Sequence, residues 1–272
     1  MNRSARPGGD RLAKYLAHAG VAARRVAEQE YIARGRVRIN GQPATDPAVR
    51  VALGDLVEVD GVAVRPEAPV VFAVHKPAGV LSAARDARGR TTVVDLLGPQ
   101  GVRLYPVGRL DTDSEGLLLV TNDGALAHLL LHPRHGVPRT YAALVRPRPD
   151  ATALWRLEAG VRLSDGAARA DEAEILSRAP RGVAEPATPP ATGWLRVVLR
   201  QGRNRQVRRM CAAVGLDVLR LVRVAFGGLH LQGIAPGGWR RLTAAQVAEL
   251  RALAGGSVRV PGRGRGGSDW DR

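Results

Sequence analysis

The stretch from Pro106 to Gly124, PVGRLDTDSEGLLLVTNDG, constrains this chain more than any other. Leu117 to Val120 is a continuous apolar run and reads as a buried strand. Asn122-Asp123-Gly124 is a turn that opens a helix over Ala125–Leu131. Between Arg109 and the strand lies a loop carrying three acids, Asp111, Asp113 and Glu115. One reading of such a cluster is calcium, because Asp111-x-Asp113-x-Glu115-Gly116 looks like the opening of an EF-hand loop. That reading fails at the twelfth position, where Asn122 stands in place of a bidentate Glu. A strand also begins where the loop has to continue, and no helix flanks it. A glycosidase carboxylate pair is a second reading, but nothing else in the sequence suggests a sugar-binding cleft.

The chain has 272 residues and a formal net charge of +16. Nearly all the positive charge is Arg, since Lys14 and Lys76 are the only lysines. Such a bias follows from a GC-rich genome, but the excess of cations over anions does not, and it points to a polyanionic partner, nucleic acid first. One cysteine, Cys211, excludes an intrachain disulfide and a Cys-based metal site. No apolar run approaches the ~18 residues of a membrane span, and Met1–Asp10 lacks the apolar core of a secretory signal. The expectation is a cytoplasmic protein without a membrane partner.

Residues 1–10 read as a disordered arm. Arg11 to Ala19 forms a short helix stopped at Gly20, and a second helical segment runs from about Ala22 to Arg34, ending at Gly35. Val37-Arg38-Ile39 alternates, Asn40-Gly41 is a hairpin turn, Leu56 to Val59 is a strand, and Asp60-Gly61 turns again. This is a small unit over residues 11–66. A linker follows over 67–71, within and just after the run Pro66 to Pro69. The main domain covers 72–254, its first strand heralded by Val70-Val71-Phe72-Ala73-Val74. Arg178 to Gly193, rich in Pro and Ala, reads as a long flexible insertion, and 255–272 as a disordered Gly/Arg-rich tail.

The stretch RLAKYLAHAGVAARRVAEQEYIARGRVRINGQ resembles the S4 RNA-binding domain. Arg24, Arg25, Arg34, Arg36 and Arg38 lie on or beside its helix pair, where guanidinium groups suit phosphate contacts. GRLDTDSEGLLLVTNDG resembles the signature of the pseudouridine synthases, in particular the RsuA/RluB branch. The resemblance continues in order through HKPAGVLS (His75 to Ser82), RTYAALV (Arg139 to Val145), LRQGRNRQVRRM (Leu199 to Met210) and LVRVAFGGLHLQGIAPGGWRRLT. It implies an α+β catalytic domain built on a mixed, largely antiparallel central sheet. The sequence itself shows only strands and helices in irregular order, with no Gly-rich dinucleotide loop.

The same resemblance implies that Asp111 is the nucleophile, that Tyr141 packs on the target base, and that Arg109 enters the RNA stack where the base has left. Uridine and pseudouridine are isomers, so no cofactor and no metal are expected. The carboxylate can add to the uracil ring, add to the ribose carbon, or take a ribose proton, and the residues do not choose among these. Each route needs an ionised Asp111 in a site that excludes water, so an Arg partner is expected. Arg208 is the candidate. On a helix from about Asn204 to Val214 it borders the apolar stripe Val207, Met210, Cys211, Val214, and the family's Asp-partner Arg aligns with it. Arg203, Arg205 and Arg209 read as phosphate-contacting or solvated. Tyr141 shares a strand face with Arg139 and Ala143, which suits stacking on a flipped base. Asp113 and Glu115 read as Arg-pairing loop groups, Lys76 as a support for the active-site loop, and Cys211 as a small buried apolar residue. His132 and His135 flank Pro133 in a loop and form no ligand cluster.

These readings converge on an enzyme that isomerises one or a few uridines of ribosomal RNA, large-subunit RNA favoured and small-subunit RNA the alternative within the same family. A monomer is the default state. A ribosome-assembly factor that only binds RNA fits the charge and the S4-like unit equally well. It leaves Asp111 unexplained, because a carboxylate facing a polyanion costs affinity unless it does chemistry.

Overall fold

A computed structural model of the chain describes residues 9–184 and 189–255. The arm and tail expected over 1–10 and 255–272 lie almost wholly outside the described residues. At its described end the arm is ordered. Asp10–Arg11 forms strand β1, paired antiparallel with β4 (Arg50–Val51), and the Arg50 guanidinium donates to Gly9 O at 2.7 Å.

The chain divides into two compact units. The first holds the described residues up to Pro69 together with 100–103 and 122–124. After β1 comes helix α1 (Leu12–His18). The second expected helix begins as α2 (Arg24–Val26) and continues as a wider π-helical stretch over Ala27–Ile32. Four short strands, β2 (Val37–Ile39), β3 (Gln42–Pro43), β5 (Val57–Val59) and β6 (Val62–Val64), form a sheet in the order β3-β2-β5-β6. Leu12, Leu16, Ala27, Ile32, Val37 and Val57 make its core, each at most 1% exposed. The hairpin turns fall where Asn-Gly and Asp-Gly demand: Asn40, Gly41, Asp60 and Gly61 all have positive φ. Glu67, in the expected linker, is fixed to this unit through its N–H, which donates to His18 O at 2.9 Å.

The second unit is built on one sheet. In chain order its strands are β7 (Val71–Lys76), β8 (Tyr105–Pro106), β9 (Glu115–Thr121), β10 (Arg139–Arg146), β13 (Glu172–Leu176), β14 (Gly193–Leu199), β15 (Asp217–Phe226), β16 (Leu229–His230) and β17 (Trp239–Arg241). The main path runs β13-β14-β10-β15-β9-β7-β17. The hairpin β11 (Val161–Leu163) and β12 (Gly166–Ala168) stands apart. Among the described pairings of this sheet only β9 with β15 is parallel, so the sheet is mixed and largely antiparallel, as expected. Val71 already belongs to β7, so the linker expected to reach residue 71 ends sooner.

Side chains alternate across the sheet. Ala73, Leu117, Leu119, Ala142, Leu144, Val222 and Val224 share one buried core with Leu126 and Leu130 of α3 (Gly124–Leu131) and Leu250 of α6 (Ala244–Ala254). Helices α4 (Ala151–Ala159) and α5 (Gln206–Ala213) complete the unit. The segment expected as a flexible insertion is partly core: Val183 is 8% exposed and belongs to the same cluster, and Gly193 opens β14. Pro and Ala composition does not reveal such anchoring, because a single buried Val fixes the segment.

Candidate active site

The loop before β9 is held from one side by the segment that follows β7. Ser82 Oγ donates to Leu110 O at 2.7 Å and accepts from Leu110 N–H at 3.0 Å. The Gly79 N–H donates to Thr112 O at 2.8 Å. The fully buried Lys76 ammonium donates to Pro77 O and Val80 O at 2.9 and 2.8 Å and reaches Thr112 O at 3.5 Å. The residues on either side of Asp111 are thus both clamped, and the HKPAGVLS segment does the clamping. The Ser114 N–H closes the turn onto Asp111 O at 3.0 Å. Burial pushes the Lys76 ammonium down to about 8, against the pull of Glu115, Asp113 and Asp111.

On the other side stand the arginines of α5 and its approach. The expected pairing of Arg208 with Asp111 is not the one formed. Arg208 is 14% exposed, as its border position on the stripe implies. Its guanidinium reaches Asp113, with Nη2 at 3.3 Å from Oδ2 and 3.2 Å from the main-chain oxygen, while Nη1 donates to Val218 O at 2.7 Å. Arg205 is the described cation nearest Asp111, with Nη1 at 4.0 Å from the carboxylate and 3.2 Å from Asp113. The reason is local. Arg205 is not on the outer face of a helix begun at Asn204. It caps α5 in the left-handed conformation (φ 47), which turns its side chain toward the acidic loop. Partial burial works to raise the Asp113 carboxyl, but Arg208 and Arg205 hold it below its usual range.

Arg203 and Arg209 are also engaged within the chain. Arg209 makes a two-pronged pair with Asp165 at 2.9 Å on each arm, and Arg203 donates to Ala167 O at 2.8 Å. Both tie α5 to the β11–β12 hairpin. Glu115 and Arg220 form a two-pronged pair at 2.8 Å on each arm, and this hydrogen bonding holds the Glu115 carboxyl low against its burial. Asp113 and Glu115 are Arg-pairing groups, as their surroundings in sequence suggested. Burial pushes the Cys211 thiol up to about 12, which leaves it a small apolar residue of the stripe.

A cavity of about 720 Å³ opens between the clamped loop, the approach to α5 and one face of the sheet. It is large enough for a nucleotide. Asp111, Arg109, Tyr141, Arg203 and Arg205 all line it. Arg208 and Asp113 do not, and stand behind it. Tyr141 is 9% exposed, on the cavity face of β10. Arg109 is exposed at the mouth. The site contains two further arginines whose role the motifs leave open. Arg139, 8% exposed, and Arg223, 3% exposed, flank the Phe226 ring with their guanidinium carbons 5.3 and 5.2 Å from its centre. Arg223 is the cross-strand neighbour of Tyr141. The signal for it was a lone charge inside the apolar strand run LVRVAF.

The family model for RNA pseudouridylate synthase matches residues 70–213, and the model for the S4 domain matches residues 10–57. The chain belongs to the RNA pseudouridine synthase family. Ribosomal large subunit pseudouridine synthase B of Bacillus subtilis is 43% identical over 90% of this chain and 97% of its own length. The protein of that name from Salmonella typhimurium is 40% identical over 90% of this chain and 83% of its own. A crystal structure of a pseudouridylate synthase superposes with a TM-score of 0.59 at 25% identity, covering 88% of this chain and 99% of that one. The first unit is therefore an RNA-binding S4 domain, the second a pseudouridine synthase domain, and the cavity lined by Asp111 lies within the synthase domain.

Proposed function

We propose that this enzyme converts one or a few uridines of large-subunit ribosomal RNA to pseudouridine, with Asp111 as the nucleophile. The observation that carries the chemistry is the placement of Asp111. It lines a nucleotide-sized cavity together with Tyr141, on a loop clamped on both sides of Asp111 by Ser82, Gly79 and Lys76. The relatives named as large-subunit enzymes support the target. Arg205 stands near both Asp111 and Asp113, and Arg208 fixes Asp113 in the loop behind it. Tyr141 offers its ring to a base taken out of the stack, and Arg109 at the mouth fills the gap left in the RNA.

No redox partner or energy source is required. The C1′–N1 bond of uridine breaks, the base turns, and a C1′–C5 bond forms, with the C5 proton lost and a proton gained at N1. Arg24 and Arg25, exposed on α2, hold phosphates of the structured RNA, as does Arg36, which lies over the Tyr31 ring at 4.4 Å. Arg203, at the cavity, and Arg209, on α5 beside it, serve the same backbone. The same reading has the enzyme act as a monomer in the cytoplasm, where bacterial ribosomal RNA resides. The test is a pseudouridine map of ribosomal RNA from cells with and without the gene, repeated in vitro with purified protein. Loss and restoration of a large-subunit site is expected. Loss confined to the small-subunit RNA would reassign the target.

A further inference from the structure

The cavity contains more positive charge than binding a neutral base requires. Arg223 is 97% buried by its 3% exposure, in the middle of β15. One of its nitrogens is accounted for: Nε donates to Leu117 O at 2.7 Å across the β9–β15 pairing. The two terminal nitrogens have no hydrogen-bond partner among the described residues, and Nη2 is buried without one. No carboxylate pairs with it among the described residues. Arg139 also lies against the Phe226 ring. Burial holds the Arg139 guanidinium below its usual range; the Tyr141 phenol works against that, and the Arg223 charge adds to it. Arg139 has main-chain acceptors in Val137 O and Arg200 O, so the unpaired donors are those of Arg223, and a buried cation with open donors is costly unless something anionic arrives beside it.

The shape of the site says what arrives. Tyr141, Phe226, Leu221 and Leu199 line the cavity around these guanidiniums. Flat apolar walls suit a planar ring rather than a hydrated tetrahedral phosphate. We infer that Arg223 is a further catalytic residue: its free Nη donors receive the uracil carbonyl oxygen on which negative charge develops. The inference rests on the proposed reaction at Asp111, and it holds for every route that carboxylate can take. If Asp111 attacks the ribose carbon, or a ribose proton is removed, the C1′–N1 electron pair leaves with the base as a uracil anion, its charge spread over N1, O2 and O4. If Asp111 adds to the ring at C6, the electron pair of the C5–C6 double bond moves toward O4 as an enolate. In each case a ring oxygen becomes anionic, and no proton leaves Arg223. Fixed donors aimed at developing charge in a water-poor site are the usual large term in such catalysis.

The experiment is a single-turnover rate on ribosomal RNA for wild type, Arg223→Gln and Arg223→Lys, with RNA affinity measured alongside. Arg223→Gln is expected to slow the chemical step ~100-fold or more while changing RNA affinity less than about threefold, an effect smaller than ~1 kcal/mol. Arg223→Lys keeps the charge but loses the Nε strut to Leu117, and is expected to regain at least about tenfold of that loss. If Arg223 is only a strut, Lys and Gln are equally impaired, and that result overturns the inference, as does a wild-type rate in Arg223→Gln. A third measurement uses the unaltered enzyme and survives misfolding of either variant. Barbiturate, a uracil-like ring that is anionic at neutral pH, is expected to inhibit at lower concentration than neutral uracil. Equal or weaker inhibition contradicts the inference. A wild-type enzyme that forms no pseudouridine on any ribosomal RNA instead overturns the proposed function, which separates the two failures.

Discussion

Ser82→Ala removes one oxygen and tests whether the clamp on the acidic loop serves catalysis. Ser82 Oγ both donates to Leu110 O at 2.7 Å and accepts from Leu110 N–H at 3.0 Å, so the substitution frees both main-chain groups of the residue before Asp111. Leu110 is 7% exposed, and water replaces the hydroxyl only in part. Two hydrogen bonds at about 1 kcal/mol net each put the local cost near ~2 kcal/mol. Thr112 O keeps its bonds to Gly79 and Lys76, so the loop stays folded but Asp111 is aimed less well. Misaiming of this size costs about 10- to 100-fold in rate. Hydrogen exchange should show the Leu110 amide losing protection, and a single-turnover assay should show the slower step with RNA affinity unchanged. If the Leu110 amide loses protection and the rate stays at the wild-type value, the clamp is structural and the argument is refuted.

Three further outcomes follow from the geometry. Gly116 has φ +109, and a Cβ there would sit 2.3 Å from Arg223 O, so Gly116→Ala should cost at least ~2 kcal/mol in a urea titration. Lys76 is held down to about 8; its ammonium is therefore present below that pH and lost above it. The rate should fall as pH rises through about 8, and the limb should vanish in a uniformly slower Lys76→Met. Glu115 has its folded pKa lowered by Arg220, so the stability of that pair is complete above the ordinary carboxyl value of 4.5 and disappears as pH falls through the folded value. The Tm gap between wild type and Glu115→Gln, equivalent to ~1 kcal/mol, should be full at pH 7 and close on acidification.

Much of this arrangement was legible beforehand, for physical reasons. Continuous apolar runs mark β7 and β9, alternation places Tyr141 on one face of β10, and Asn-Gly and Asp-Gly mark the hairpins of the S4 domain. The clustering of acids before a buried strand marked the site. What stayed hidden depends on the chain's path rather than on composition. Arg205 takes a left-handed cap conformation that no helical wheel anticipates, so it, and not Arg208, approaches Asp111. The intramolecular role of Arg209 depends on Asp165, 44 residues away. Arg223 reads in sequence as a lone charge in an apolar strand, without the neighbours that give it a role. Only the antiparallel β10–β15 pairing shows it beside Tyr141, and the parallel β9–β15 pairing sets it against Gly116.

The central claim is that the reaction at the uridine depends on the Asp111 carboxylate in this cavity. Tritium placed at C5 of uridine in ribosomal RNA is released to water when C5 bonds to the ribose, so its release counts turnovers directly. With purified Asp111→Asn, the account predicts no release above background and RNA affinity at or above the wild-type level, since a carboxylate facing phosphates has been neutralised. Release from Asp111→Asn at a rate near wild type would contradict it.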